Sequence, residues 1–126
     1  ICYSLIRSKA RRLKLINRDT NKLNLLANKL KNLKLNTEIL IDDFRDYDIS
    51  EFDYVINATS LGLKDNKDLV FDVKKTKIDC TIIDIVMDPE ETILIKEAIK
   101  HNRNYHLGKN MLYSQINLAG NFFNLW

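Results

Sequence analysis

Apolar residues along this chain follow two alternating patterns, short continuous runs and stripes in which they recur every three or four positions. The short runs predict β-strands at residues 13–16, 38–41, 54–56, 81–86 and 104–107. The stripes predict helices at residues 1–8, after residue 19, after residue 88 and over residues 111–126. Strands that alternate with helices are typical of an α/β fold built on a parallel sheet.

Capping and breaking residues predict where the helices begin. Asp19 or Thr20 is the predicted N-cap of the second helix. The buried face of that helix is predicted to consist of Leu23, Leu26, Ala27, Leu30 and Leu33. Asp88 is predicted to cap the third helix, with Pro89 at its first position and two glutamates in its first turn. Gly108 is predicted to break the chain before the last helix.

Length, charge and cysteine content limit the class of protein. The 126 residues, 45% of them hydrophobic, predict one domain over residues 1–126. The net charge of +3 comes from 20 basic and 17 acidic residues that are interspersed, which argues against binding nucleic acid. No apolar run approaches the ~18 residues that span a bilayer, and no signal peptide is recognisable. Cys2 and Cys80 lack metal-type spacing, so we expect reduced, buried thiols in a cytoplasmic protein without a metal site.

The residues that directly follow the strands are the first candidates for a site, because parallel sheets bind ligands at the carboxyl ends of their strands. The first strand is followed by residues 17–22, Asn-Arg-Asp-Thr-Asn-Lys. Arg18 offers a planar fork of donors, and Lys22 adds a positive charge one turn later, which suits the extra phosphate of NADP. A loop with a helix cap is the simpler interpretation of this hexapeptide alone.

Two further features carry possible binding chemistry. Residues 57–62, Asn-Ala-Thr-Ser-Leu-Gly, follow the third strand and allow close approach of a ligand, although they also suit an ordinary turn. Gln115 lies within the apolar stripe of the last helix. That stripe consists of Met111, Leu112, Ala119, Phe122, Phe123 and Trp126, whose aromatic members suit a core. A buried amide needs a partner, either in the protein or on a ligand hydroxyl.

Taken in order, these segments resemble the shikimate dehydrogenase family. The Asn-Arg-Thr-x-x-Arg/Lys turn of the family is matched at residues 17–22, and its Asn-Ala-Thr-Ser-x-Gly turn at residues 57–62. Its Asp-Ile-Val-Tyr strand with a following Pro-x-x-Thr is matched at residues 84–92. Its closing Gly, Met-Leu, Gln, Phe and Trp are matched over residues 108–126, so the resemblance covers almost the whole chain.

The resemblance implies a Rossmann-like three-layer α/β sandwich with a parallel sheet, which lacks its first strand and glycine-rich loop here. It implies hydride transfer between NADPH and 3-dehydroshikimate to give shikimate, in aromatic amino acid biosynthesis. Arg18 and Lys22 are implied to hold the adenosine 2′-phosphate, and Ile85 and Gly108 to lie near the nicotinamide. The full set of implied cofactor contacts is Asn17, Arg18, Asp19, Lys22, Asn57, Ala58, Thr59, Ile85, Gly108 and Met111.

The chain also departs from the family pattern in its catalytic parts. No G-x-G-x-x-G occurs, so we expect the pyrophosphate site to be missing. The catalytic Lys and Asp of the family lie in an amino-terminal substrate domain, so we expect no catalytic residue among these 126 residues and no turnover by the chain alone. A non-catalytic nucleotide-binding or regulatory module with the same fold is the alternative.

Two substitutions concern specificity. Gln115 is implied to contact the substrate, whereas Met87 stands in place of a substrate-facing Tyr, which leaves shikimate and quinate both open. Asp19 stands in place of a Thr. Its charge would repel a 2′-phosphate, but its carboxylate could accept a hydrogen bond from a ribose hydroxyl or cap a helix. NADP is therefore the predicted cofactor, with NAD open. The sequence leaves the oligomeric state open.

Overall fold

The computed structural model describes residues 1–33, 35–64 and 68–125. The chain divides into two compact units, a first unit, Ile1–Tyr47, and a second unit, Asp48–Trp126. The single domain expected over residues 1–126 stays a prediction, because a compact unit is not by itself an independently folding domain. None of the helices within the described ranges is long and apolar enough to cross a membrane.

The first unit contains two helices and two strands. They are α1 (Cys2–Arg7), β1 (Arg12–Asn17), α2 (Thr20–Lys31) and β2 (Glu38–Asp43). β1 and β2 pair in parallel, with Leu15 opposite Ile41. The core of this unit is formed by Ile6, Leu15, Leu23, Ala27 and Leu30. Leu26 and Leu33 were predicted to be buried but are 39% and 38% exposed, because the buried stripe of α2 is narrower than the apolar one.

The second unit contains three strands, a short 3₁₀ turn and two helices. They are β3 (Tyr54–Asn57), the 3₁₀ turn (Val73–Lys75), β4 (Thr81–Asp84), α3 (Ile93–Lys100), β5 (Asn104–His106) and α4 (Gly108–Phe122). The strands are all parallel in the order β3-β4-β5. Ile82 of the central strand and Ile95 of α3 are fully buried, as the apolar run of β4 predicts for a strand covered by helices.

All strand pairs are parallel, which confirms the predicted α/β fold. The strands form two sheets, β1-β2 and β3-β4-β5, where the sequence pattern predicted one. Each sheet lies within one of the two units.

The start of α3 differs from the prediction. Asp88 was expected to cap this helix with Pro89 at its first position, but α3 begins at Ile93 and its N-cap is Thr92. The Thr92 hydroxyl accepts from the backbone N–H of Ile95 at 3.3 Å and donates to Asp84 at 2.7 Å. The prediction is wrong because the buried bond to Asp84 anchors Thr92 at the cap, which a local capping pattern does not reveal.

The start of α4 also differs from the prediction. Gly108 was expected to break the chain before a helix from Met111, but it is the first residue of α4. A Cβ at Gly108 would lie 2.5 Å from the carbonyl oxygen of Val86 and 2.7 Å from that of Ile85. Glycine therefore allows the helix to begin directly against the backbone that follows β4. The helix ends at Phe122, and the predicted Trp126 lies outside the described residues.

The apolar stripe of α4 is exposed in this chain. Met111 and Leu112 are 39% and 41% exposed, and Phe122 and Phe123 are 79% and 66% exposed. Gln115 is exposed as well, so the expectation of a buried amide that requires a partner is wrong. The periodicity places these residues on one face, but periodicity alone does not supply an element that covers the face.

Candidate functional site

A pocket of about 560 Å³ lies at the carboxyl ends of β1 and β2, within the first unit. It is lined by Asn17, Arg18, Thr20, Leu23, Ile41, Asp42, Asp43, Phe44 and Arg45. Residues that directly follow two neighbouring parallel strands therefore share one site, as expected for an α/β sheet. Of the predicted cofactor contacts, Asn17 and Arg18 line this pocket directly.

The turn after β1 is held by side-chain bonds to its own backbone. The side-chain oxygen of Asn17 accepts from the backbone N–H of Asp19 at 2.9 Å. The Asp19 carboxylate accepts from the backbone N–H of Lys22 at 3.0 Å, so Asp19 is the N-cap of α2. Asp19 was one of the two predicted caps, and Thr20 was the other. These bonds fix the backbone on both sides of Arg18, whose exposed guanidinium has no ion-pair partner among the described residues.

The other charges at this end of the sheet are paired. Lys22 lies 3.4 Å from Asp19, and Lys14 lies 2.8 Å from Asp42. The backbone N–H of Lys22 is the main reason that the pKa of Asp19 lies below its ordinary value, so this carboxylate is charged at neutral pH. Arg18 lines the pocket and has no carboxylate partner among the residues that the structure describes.

Phe44 and Arg45, in the loop after β2, line the pocket but were not singled out from the sequence. The Arg45 guanidinium forms a bidentate pair with Asp43, with Nη2 3.0 Å from Oδ2 and Nε 3.1 Å from Oδ1. This pair lowers the pKa of Asp43 to about 2. The rule that ligands bind after parallel strands would have found these residues, had it been applied to the second strand as well as to the first and third.

In the second unit, Asn57 is buried at the end of β3, with an exposed fraction of 1%. Its amide nitrogen donates to Asp84 and to the carbonyl oxygen of Leu61, both at 3.0 Å. Its side-chain oxygen accepts from the backbone N–H and the hydroxyl of Thr59. The Asn57 side chain therefore shapes the loop over residues 57–62, whose Ala58 and Thr59 are exposed.

Asp84 connects this loop to the start of α3 through a buried network. Its carboxyl group accepts from Asn57, from the backbone N–H of Val86 at 3.0 Å and from the hydroxyl of Thr92 at 2.7 Å. Gly62 has a φ of +91°, and a Cβ there would lie 3.4 Å from Thr92. The network thus fixes the ends of β3 and β4 and the loop between Asn57 and Gly62 as one arrangement.

The predicted nicotinamide contacts Ile85 and Gly108 are brought together by the close approach of α4 to the end of β4. The side chains of Met87 and Met111 are 46% and 39% exposed. Gln115 is exposed on α4 and makes no hydrogen bond that the described residues show. The described residues contain no cluster of histidine, cysteine and acidic side chains that could hold a metal ion.

Comparisons with known proteins find sequence and structural similarity to dehydrogenases. No family model matches the chain. The shikimate dehydrogenase (NADP(+)) of Methanococcus maripaludis is 33% identical over 129 residues, which cover 100% of this chain and 44% of that protein. Quinate dehydrogenase from Corynebacterium glutamicum, solved in complex with NAD, has a TM-score of 0.79 and 27% identity, covering 88% of this chain and 40% of that one.

A solved shikimate dehydrogenase in complex with NADP+ is also similar in fold, with a TM-score of 0.70 and 30% identity. The similarity covers 80% of this chain and 37% of that one. In each comparison, the chain therefore spans less than half of the relative. The chain is homologous to shikimate dehydrogenases along its whole length and corresponds to less than half of those proteins.

Proposed function

We propose that this chain is the cofactor-binding part of an NADP-dependent cytoplasmic oxidoreductase that interconverts 3-dehydroshikimate and shikimate in aromatic amino acid biosynthesis. The observation that carries the proposal is the pocket after β1 and β2, in which the Arg18 guanidinium lacks an ion-pair partner among the described residues. A relative that matches the whole chain is named for shikimate dehydrogenase activity with NADP(+). The remainder of the protein, including a substrate domain, is proposed to lie outside this sequence.

The adenosine 2′-phosphate is proposed to bind at the turn after β1. Arg18 offers a guanidinium fork that matches phosphate geometry, and Asn17 lies beside it in the same pocket. Asp19 is occupied as the cap of α2 and lies 3.4 Å from Lys22, so its repulsion of a phosphate is reduced. Lys22 is 79% exposed and can reach an added anion while it stays near Asp19. These features favour NADP over NAD.

The nicotinamide end is proposed to lie along the second unit. Ala58 and Thr59 are exposed on the loop that Asn57 shapes, and Gly108 lies directly against the backbone of Ile85. Met111 follows on the first turn of α4. Backbone and small side chains at these positions suit a flat ring that must lie close to the protein.

The substrate is proposed to meet the exposed side chains of Gln115 and Met87. Gln115 has an amide that can donate to a substrate hydroxyl and accept from one. Met87 offers only a thioether, so it contributes apolar contact and little hydrogen bonding. Bound NADPH would supply the hydride that reduces the ring carbonyl, while the residues of this chain orient the cofactor. The groups that move the proton are proposed to belong to the substrate domain.

A full-length protein that contains this chain tests the proposed reaction. We expect NADPH-dependent reduction of 3-dehydroshikimate, followed through the loss of NADPH absorbance. Arg18→Ala is expected to raise KM for NADPH about tenfold and to change KM for NADH less than about twofold, because only NADPH carries the phosphate. Arg11→Ala, an exposed arginine before β1, is the matched control. No turnover with either cofactor would contradict the proposed reaction.

A non-catalytic nucleotide-binding or regulatory module is the second candidate. One observation favours it, the exposed thioether of Met87 at the position where the resemblance implies a substrate-facing Tyr hydroxyl. The upstream sequence of the full-length protein separates the two candidates. A glycine-rich loop with a Lys and Asp pair favours the oxidoreductase, and nucleotide binding without turnover of 3-dehydroshikimate favours the module.

A further inference from the structure

The loop after β2 fixes a second arginine at the pocket. Besides its two bonds from the guanidinium to Asp43, Arg45 donates from its backbone N–H to Oδ1 of Asp43 at 2.8 Å. Three bonds within one short loop hold the plane of the guanidinium relative to the strand end. The side chain nevertheless remains 86% exposed, so its flat faces are accessible to a ligand.

Arg18 and Arg45 differ in their charge surroundings. Asp43 stays ionised at neutral pH because Arg45 lowers its pKa to about 2, and the pair as a whole carries no net charge. Arg18 has no such carboxylate partner in the described part of the chain. An anionic phosphate is therefore attracted to Arg18 more strongly than to Arg45. A neutral aromatic ring has no such preference and gains by stacking on a guanidinium plane.

We propose that Arg45 is the platform on which the adenine base of the cofactor stacks, while Arg18 binds the phosphate. The pocket supplies an apolar surface for the base through Leu23, Ile41 and Phe44. Because Asp43 engages the edge of the Arg45 guanidinium, the two faces stay available for a ring. This inference rests on the proposed function and adds the recognition of a purine base to that of the phosphate.

An NMR titration of the 126-residue chain tests the platform. The probes are adenosine 2′-phosphate and cytidine 2′-phosphate, which share the phosphate and differ in the size of the base. We expect weak binding of both, tighter for adenosine, with amide shifts in residues 17–22 and 42–45. Arg45→Ala is expected to weaken adenosine 2′-phosphate about fivefold and cytidine 2′-phosphate less, because a purine offers the larger stacking surface.

Arg45→Lys separates stacking from charge. Lysine keeps the positive charge but lacks the plane, so we expect this variant to lose the preference for adenosine as Arg45→Ala does. Wild-type affinity and preference in Arg45→Lys would overturn the platform, since charge alone would then suffice. Arg11→Ala is the control for a lost exposed arginine outside the pocket, and it is expected to bind both probes like the wild type.

Arg18→Ala distinguishes failure of this inference from failure of the proposed function. It is expected to weaken both probes equally, because it removes a contact to the phosphate that they share. If Arg18→Ala weakens both probes and Arg45→Ala changes neither, the platform is wrong and the phosphate site stands. If neither variant affects binding, or residues 17–22 do not respond to the probes, the proposed cofactor site fails as well.

Discussion

Asp84→Ala removes the acceptor at the centre of the buried network in the second unit. Asp84 is 1% exposed, and its carboxyl group accepts from the Asn57 amide, the Val86 backbone N–H and the Thr92 hydroxyl. Asn57 and Thr92 are buried to the same degree, so these donors have little access to water once the carboxyl is gone. The variant therefore leaves three buried donors without their acceptor.

The expected loss in the free energy of unfolding follows from the number of buried donors that lose their acceptor. Each costs about 1–3 kcal/mol, so the sum is roughly 3–9 kcal/mol before relaxation. Water that enters the space left by the carboxyl offsets part of this, and we expect a net loss of about 3–5 kcal/mol in the free energy of unfolding. A loss of this size is a large fraction of the ~5–15 kcal/mol that stabilises a typical domain.

Urea unfolding followed by circular dichroism measures this loss. Asp88→Ala is the matched control, because Asp88 is an exposed carboxylate four positions along the chain and should change stability by less than about 0.5 kcal/mol. Thr92→Val removes both the bond to Asp84 and the cap of α3 and is expected to cost about 1–3 kcal/mol. A cost below about 1 kcal/mol for Asp84→Ala, or a larger cost for Asp88→Ala than for Thr92→Val, would refute this reasoning.

Three further predictions concern a glycine, the cysteines and the effect of pH. Gly108→Ala should lower the stability of the chain against urea, because its Cβ would lie 2.5 Å from the Val86 carbonyl oxygen. This loss is expected although alanine favours helices over glycine by about 1 kcal/mol. Unchanged or raised stability would contradict this packing, and Gly120→Ala is a comparison on the same helix. In a thiol-labelling assay without denaturant, Cys2 should react well before Cys80, since Cys80 is fully buried and burial raises the pKa of its thiol; equal rates in the native chain would contradict the placement of Cys80, and equal rates in urea are the control. The affinity for adenosine 2′-phosphate should fall severalfold as pH drops through ~6, where the phosphate monoester gains a proton. The pKa of Asp43, at about 2, and that of Asp19, lowered by the Lys22 N–H, keep both carboxylates charged throughout; a loss of affinity centred near the ordinary pKa of an aspartate, ~4, would show that a protein carboxylate governs binding instead.

Local patterns predicted the elements of the fold and the turn after β1. The strand β1 and a cap at Asp19 or Thr20 were predicted from neighbouring residues, and the structure contains the strand and has Asp19 as the cap. The start of α3 was not, although Asp88 and Pro89 form a strong local signal. There the deciding interaction is the buried bond between Asp84 and Thr92, which joins residues that only the folded chain brings together.

The helix α4 shows a second limit of sequence patterns. Its spacing correctly groups Met111, Gln115 and Phe122 on one helix, but it does not tell whether anything covers them, and all three are exposed here. The pocket shows a third limit. Arg45 belongs to an acidic loop in the sequence, and its bidentate pair with Asp43 beside the end of β1 becomes visible only when β1 and β2 are paired.

The affinities of wild type and Arg18→Ala for adenosine 2′-phosphate and adenosine 5′-phosphate, measured by NMR titration of this chain, test the central claim most directly. The account predicts that Arg18→Ala weakens the 2′-phosphate about tenfold, because it removes a charge-assisted contact of about 1.4 kcal/mol. The 5′-phosphate should change less than about twofold, since its phosphate lies at the other side of the ribose. Equal losses for the two nucleotides would contradict the assignment of Arg18 to the 2′-phosphate.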